Sequence, residues 1–363
     1  MSADTARQRG VRKQAGARRV SRAACFELRG RVPVLKVLIV KTSSMGDVVH
    51  TMPAVTDIAA HRSDVQIDWM VESAFASLPA MHPAVRNVVP ISWRKWRNSL
   101  LKKETREAIS RSRKSLRSVE YDLVLDMQGL VKSALFSGQA RGVRGGYDWS
   151  SAREKIASVW YQQVATVDRS LHAVHRSRLL AAAHLGYTVS GLPNFAIKMP
   201  DPTWMPPSPK PYAVLIPSAS RPEKLWQDER WIAVANAAST RGLAVVWMWG
   251  SKEEGSRCVS LAARSDGEIP PFLSVNDAAA VMARARVCVG LDTGFSHIAA
   301  AFGVPTVGIY CDHEPGLVGI TGNGFVASLG GRGQSPDSVR VIKLLDEALA
   351  YRATPAVQSN NAA

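Results

Sequence analysis

Three stretches of the chain place carboxylates, hydroxyls, glycines and a lysine in patterns suited to proton and phosphate chemistry. Lys41-Thr42-Ser43-Ser44-Met45-Gly46-Asp47 offers small residues, with Ser44 and Gly46 able to present backbone N–H groups, and a single acid. Asp47 reads either as a cap on orphan helix amides or as a general base, and residue type alone leaves both open. Asp292-Thr293-Gly294-Phe295-Ser296-His297 sets a glycine and hydroxyls at a helix start. Such a start suits phosphate oxygens through its N–H donors and dipole, or caps a core helix. Ser218-Ala219-Ser220-Arg221-Pro222-Glu223-Lys224 carries a lysine that can neutralise a departing phosphate or sit solvated on a loop. In Trp249-Gly250-Ser251-Lys252-Glu253-Glu254, an acid can bind ribose hydroxyls or begin a helix. Trp93-Arg94-Lys95-Trp96-Arg97 can stack on bases, attract phosphates, or lie on an anionic membrane. The opening loop has neither the dinucleotide nor the P-loop glycine pattern.

Chemistry of this kind needs strand ends beneath it, and the pattern supplies them. Val34–Val40 is a β-branched apolar run typical of a buried parallel strand, followed by a polar loop and apolar residues at helical spacing. Further strands are expected over Gln66–Val71, Asn87–Ile91 and Tyr121–Asp126. Residues 199–211 hold six prolines, which forbid a continuous helix or central strand and suit a stiff linker. Beyond them, strands are expected over Tyr212–Pro217, Leu243–Trp249, Val287–Leu291 and Val304–Tyr310, and helices over Trp231–Thr240, Val275–Arg284, Ile298–Phe302 and Ser338–Leu349. The reading is α/β: two doubly wound Rossmann-like domains facing a cleft, 34–198 and 212–335, with a linker at 199–211 and a terminal helix at 336–351. Disordered segments are expected at 1–33 and 352–363.

The chain has 363 residues, 46% of them hydrophobic and 21% charged, which excludes a wholly disordered or collagenous protein. Cys25, Cys258, Cys288 and Cys311 share no C-x-x-C spacing, so no disulfide framework or zinc module is supported. The net charge of +16 is local. Residues 1–31 set nine Lys/Arg against Asp4 and Glu27, and residues 94–117 set ten against Glu104 and Glu107, leaving +1 for the rest. A polyanionic partner is implied, met through two devices rather than a generally basic body. A membrane-peripheral protein and a nucleic-acid binder both fit that charge.

The segment Lys41 to Ala54 closely resembles the opening of the lipopolysaccharide heptosyltransferases of glycosyltransferase family 9, of the type acting first in the pathway. The resemblance continues through Phe75, Trp93–Arg97, Asp126-Met127-Gln128-Gly129, Asp148–Glu154, Lys224-Leu225-Trp226, Trp249-Gly250, Asp292–His297 and Pro315-Gly316-Leu317. Loops 217–222 and 310–314 depart from the family pattern. The resemblance implies a GT-B fold and an inverting transfer of L-glycero-D-manno-heptose from ADP-L-glycero-β-D-manno-heptose to the first Kdo of Kdo2-lipid A. No cofactor or metal beyond the donor, and no nucleic acid, enters that reading. The implied place is the cytoplasmic face of the inner membrane, against its anionic leaflet. Asp47 would be the base. Thr293 and Gly294 would hold the pyrophosphate, Lys224 would counter leaving charge, and Asp292 and His297 would orient the sugar. Ser44, Gly46, Ser218 and Ser220 would complete the donor site, with Glu253 at the ribose. Arg94, Lys95, Arg97 and Arg153 would grip the acidic acceptor. A sister enzyme using another nucleotide-sugar is the alternative.

Overall fold

In the computed structural model, residues 34–312 and 314–351 are described; the extension and tail expected at 1–33 and 352–363 lie outside the described residues. Two parallel sheets carry the fold. The first contains β1 (Leu35–Val40), β2 (Val65–Glu72), β3 (Val85–Ile91), β4 (Glu120–Asp126), β5 (Arg141–Tyr147) and β6 (Gln163–Ala165), in the order β3-β2-β1-β4-β5-β6. The second contains β7 (Tyr212–Ile216), β8 (Ala244–Trp247), β9 (Val287–Leu291), β10 (Thr306–Tyr310) and β11 (Val326–Gly330), in the order β11-β10-β9-β7-β8.

The apolar runs form central strands because both of their faces are covered. In β1, Val37 and Ile39 enter one apolar cluster while Leu38 and Val40 enter another on the opposite face. In β7, Val214 and Ile216 join the first of these clusters, and Ala213 and Leu215 a separate one beneath Trp231 and Trp247. The first cluster runs through both halves, since it also holds Val48, Met52 and Val55 of helix 45–61 and Ile298 and Ala299 of helix 294–301. The proline-rich segment 199–211 has neither helix nor strand. It is strapped down where Arg284 Nη1 donates to the Pro200 carbonyl at 2.9 Å. Among the described residues, no helix is long and apolar enough to cross a membrane.

Each sheet changes direction once, between β1 and β4 in the first and between β7 and β9 in the second. A crevice opens at such a switch point at the carboxyl ends of the strands. The segments after β1, β4, β7 and β9 are 41–47, 127–134, 217–224 and 292–297, so the three main chemistry-bearing loops leave strands that border a switch point, while Trp93–Arg97 and Trp249–Glu254 follow the edge strands β3 and β8.

Several expected bounds shift. The helix expected at Ile298–Phe302 is Gly294–Ala301, because Thr293 takes the extended N-cap conformation and the loop residues after it are already helical. The strand expected over Leu243–Trp249 ends at Trp247, and Trp249 donates its Nε1–H to the Pro270 carbonyl at 3.0 Å. The strand expected from Val304 begins at Thr306, after a proline that has no N–H for the ladder. Strands β5, β6 and β11 have no counterpart in the sequence reading. β5 reads Arg-Gly-Val-Arg-Gly-Gly-Tyr, against strand propensity, because neighbours occupy the space of its missing side chains. A Cβ at Gly145 would lie 2.9 Å from the His184 ring, and one at Gly146 2.4 Å from the Tyr161 ring.

Tyr161 cannot swing away, since it is buried and donates its hydroxyl to Asp126 at 2.8 Å. We therefore expect Gly146→Ala to destabilise the protein by about 1–3 kcal/mol, the usual cost of overpacking. A chemical-denaturation midpoint equal to that of the parent protein would contradict this account of β5.

Candidate functional site

The opening loop is held from below by β4. Asp126 is fully buried and accepts from the Gln128 and Gly129 amides at 2.8 and 3.2 Å. Burial raises its pKa, against the bonds from Ser133, Tyr161 and these amides. Gln128, so fixed, accepts through Oε1 from the Thr42 and Ser43 amides at 3.1 and 3.2 Å. The loop thus enters helix 45–61 in a set direction. Ser44 is the N-cap, and Asp47 Oδ2 accepts from both the Ser44 amide (2.8 Å) and the Ser44 hydroxyl (3.0 Å).

Asp47 has a second partner that sequence reasoning missed. Lys41 is buried at the end of β1, donates to the Met127 carbonyl at 2.9 Å, and lies 3.8 Å from Asp47 Oδ1. Burial would raise the Asp47 pKa, but Lys41, the two Ser44 bonds and Arg153 outweigh it and hold the carboxyl below its ordinary value. Burial in turn lowers the Lys41 pKa, opposed chiefly by Asp47. Asp47 is therefore ionised at neutral pH.

From the second sheet, Asp292 follows β9 and accepts from Lys224 Nζ at 2.6 Å. Its other oxygen faces His297 Nε2 at 3.5 Å. Burial pushes the Asp292 pKa up, while His297 and Lys224 pull it well below the carboxylate range, so the net shift is downward. His297, in the first turn of helix 294–301, reaches across to His50 of helix 45–61, with Nδ1 to Nε2 3.0 Å. The buried Ser218 Oγ and Thr293 Oγ1 have no hydrogen-bond partner among the described residues.

These groups line one cavity of about 790 Å³. Of the residues expected at the site, it collects Asp47, Ser44, Gly46, Ser218, Ser220, Lys224, Asp292, Thr293, Gly294, His297, Arg94 and Arg153. Three are not collected. Glu253 points to solvent from the first turn of helix 252–263, and the next residue, Glu254, lines the cavity while accepting from the Gly250 amide at 2.8 Å. Lys95 and Arg97 are exposed outside it, beside Arg94, whose guanidinium lies 5.0 Å from the Phe75 ring centre. His50, Phe272 and Ser274 are further lining residues absent from the sequence reading. Among the described residues, no group of three or more His, Cys, Asp or Glu side chains is arranged to hold a metal.

A carboxylate from one parallel sheet thus faces, across a cleft, a helix start and a lysine suited to phosphates from another. That is the frame of a GT-B glycosyltransferase. A sequence model of glycosyltransferase family 9 (heptosyltransferase) matches residues 109–345, and the chain belongs to this family. It is 38% identical over 291 residues to lipopolysaccharide heptosyltransferase 1 of Escherichia coli strain K12, covering 78% of this chain and 90% of that one. To the protein of that name from Pseudomonas aeruginosa it is 39% identical over 300 residues, covering 80% and 83%. The crystallised E. coli heptosyltransferase WaaC with ADP superposes with a TM-score of 0.80 at 35% identity, covering 86% of this chain and all of that chain.

Removing the Lys41 charge should release Asp47. In Lys41→Met, the titration midpoint of the Asp47 carboxyl, followed by carbon NMR, is expected to rise from below the ordinary value of about 3.9. An unchanged midpoint would show that the ion pair does not set it.

Proposed function

We propose that the protein transfers L-glycero-D-manno-heptose from ADP-L-glycero-β-D-manno-heptose to the first Kdo of Kdo2-lipid A, with inversion at the anomeric carbon. The observation that carries this is the single cavity in which Asp47 stands opposite Lys224, Thr293 and Gly294, in a chain whose relatives bear the name lipopolysaccharide heptosyltransferase 1. The 212–335 half takes the donor and the 34–198 half the acceptor.

In the reaction, the Kdo hydroxyl oxygen bonds to the anomeric carbon as the bond from that carbon to the ADP oxygen breaks. The electron pair leaves with ADP, and the hydroxyl proton passes to Asp47. A base that is already ionised at neutral pH is fully available for that transfer. The amides at the start of helix 294–301 and the unpartnered Thr293 and Ser218 hydroxyls receive the pyrophosphate. Lys224 neutralises the charge that grows on ADP, and Asp292 holds Lys224 in place. Asp292 and His297 orient the heptose. Ser44, Gly46 and Ser220 close the donor end, and the ribose contact falls to Glu254 rather than Glu253. Arg94 and Arg153 meet the Kdo carboxylates inside the cavity, with Lys95 and Arg97 at its margin.

The acceptor is an anionic lipid, which gives the second basic device a purpose. Helix 103–117 buries Leu116 in the first sheet's outer cluster, with Ala108 and Ile109 packed against it, and exposes Arg106, Arg113, Lys114 and Arg117. This surface docks the enzyme on the anionic inner leaflet, at the cytoplasmic face of the inner membrane.

Purified protein given ADP-heptose and Kdo2-lipid A should release ADP, and a panel of other nucleotide-sugars should not support the reaction at a comparable rate. A sister donor outperforming ADP-heptose would reassign the substrate. Asp47→Ala is expected to lose about 10²- to 10⁴-fold in turnover, the range for a general base, while keeping its affinity for ADP. Near-parental turnover would remove Asp47 from the mechanism. The triple change Arg106→Glu, Arg113→Glu and Arg117→Glu should weaken binding to phosphatidylglycerol vesicles more than tenfold, at roughly 1 kcal/mol per basic residue. Equal binding would place the membrane surface elsewhere.

A further inference from the structure

His50 is the one imidazole of helix 45–61 that lies inside the cleft, three residues beyond Asp47 and 3% exposed. Its Nε2 is 3.0 Å from His297 Nδ1, so one ring donates and the other accepts. The far nitrogen of His297 is fixed by what it faces. Its Nε2 points at the Asp292 carboxylate, which only accepts, so that nitrogen carries a proton. The second nitrogen of His297, Nδ1, has the His50 ring as its partner. His172, whose ring centre lies 5.1 Å from that of His50, is fixed independently. Its Nδ1 accepts from the Val174 amide, and its Nε2–H donates to the Gly319 carbonyl. The groups packed around His50 are thus two imidazoles and a carbonyl, with Lys41 the nearest fixed cation influencing it. Burial and these neighbours disfavour a charged His50.

The result is a chain of polar contacts across the two halves of the protein. His50 shares a hydrogen bond with His297, His297 Nε2 faces Asp292 Oδ1 at 3.5 Å, and Lys224 donates to Asp292 Oδ2. We propose that His50 is a positioning residue for glycosyl transfer: its ring-to-ring hydrogen bond orients His297 against Asp292, and through Asp292 it places Lys224 against the leaving phosphate. The same bond ties the helix that bears Asp47 to the loop that bears Asp292, so base and leaving-group partner are located relative to each other by one contact. Without that bond the His297 ring loses the partner that fixes its orientation, and Asp292 and Lys224 lose their support on that side.

This inference rests on the transferase reading above, and the experiment separates the two. His50→Phe keeps the ring's bulk and removes the bonding nitrogens. His50→Gln carries an amide that donates or accepts at a similar reach. For His50→Phe we expect kcat to fall about 10- to 100-fold, the range for removing a group that orients a functional residue. ADP affinity by calorimetry and the KM for acceptor should stay near the parent values. His50→Gln should recover most of the loss. Ring nitrogen NMR should show His297 Nδ1 hydrogen-bonded in the parent and in His50→Gln, and without that bond in His50→Phe. An unchanged His297 Nδ1 resonance in His50→Phe overturns the inference, as does a His50→Gln variant as slow as His50→Phe. A folded parent protein inactive with every nucleotide-sugar would instead refute the transferase reading, and the Nδ1 measurement would still decide the part played by His50.

Discussion

The site depends on two helices meeting start to start. Helix 45–61 and helix 294–301 come from different sheets, and their first turns approach so closely that each carries a glycine where the other inserts a side chain. A Cβ on Gly46 would lie 2.8 Å from the His297 ring, and one on Gly294 would lie 2.4 Å from Met45 Sδ. The reciprocity makes the contact a locating device: neither helix can slide without striking the other. It also brings two positive dipole ends to one place, which is unfavourable unless negative charge is supplied. Asp47 and Asp292 supply it within the protein, and an anionic donor adds more.

Both carboxylates are paired with a lysine that leaves the end of a strand or the loop beyond one. Lys41 follows β1 and sits 3.8 Å from Asp47, and Lys224 lies beyond β7 and sits 2.6 Å from Asp292. Neither pair is simple stabilisation. Burying two charges costs several kcal/mol per ion, offset only where further hydrogen bonds complete the site. Around Asp47 those bonds come from Ser44, and Asp292 has the His297 ring 3.5 Å from its second oxygen. The two pairs differ in closeness in a way that suits their parts. Asp292 is held tightly and stays a fixed anchor. Asp47 is held on Oδ2 by Ser44 while Oδ1 meets only the more distant Lys41, which leaves an oxygen with spare acceptor capacity.

How much of this the sequence displays follows from what each feature requires. Strands buried on both faces announce themselves, as with Val37–Val40 and Val287–Leu291, because every position must be apolar. The loops after β1, β7 and β9 are legible because small residues, acids and a lysine stand just past such strands. β5 is hidden because its glycines are dictated by Tyr161 and His184, residues distant in sequence. The exchange of Glu253 for Glu254 turns on one step of helical phase, about 100°, which a short segment does not fix. Lys41 looks like the first polar residue of a loop, and only the fold shows that it is buried against Asp47. His50 carried a usable sign, a histidine one turn beyond an acid at a helix start. Its partner is 247 residues away, so the bond between them belongs to tertiary structure alone.

The cap and base readings of Asp47 need not compete, because in the proposed transfer the cap is what would make the base effective. A carboxylate at the third position of a free helix turn samples several rotamers. Two bonds from Ser44 to the same oxygen, together with a loop pinned through Gln128 to Asp126, leave this one a single orientation. Preorganisation of that kind removes the need to reorient a charge during the reaction. Its cost is a lowered pKa and hence a weaker base. A hydroxyl becomes acidic only as its oxygen begins to bond to carbon, so a weak, ionised and fixed acceptor suits a proton transfer that occurs late in the displacement. In the proposed transfer, the same ion pairing that weakens Asp47 as a base would thereby tie proton removal to the departure of ADP, across a cleft whose two sides are set by the meeting of helices 45–61 and 294–301.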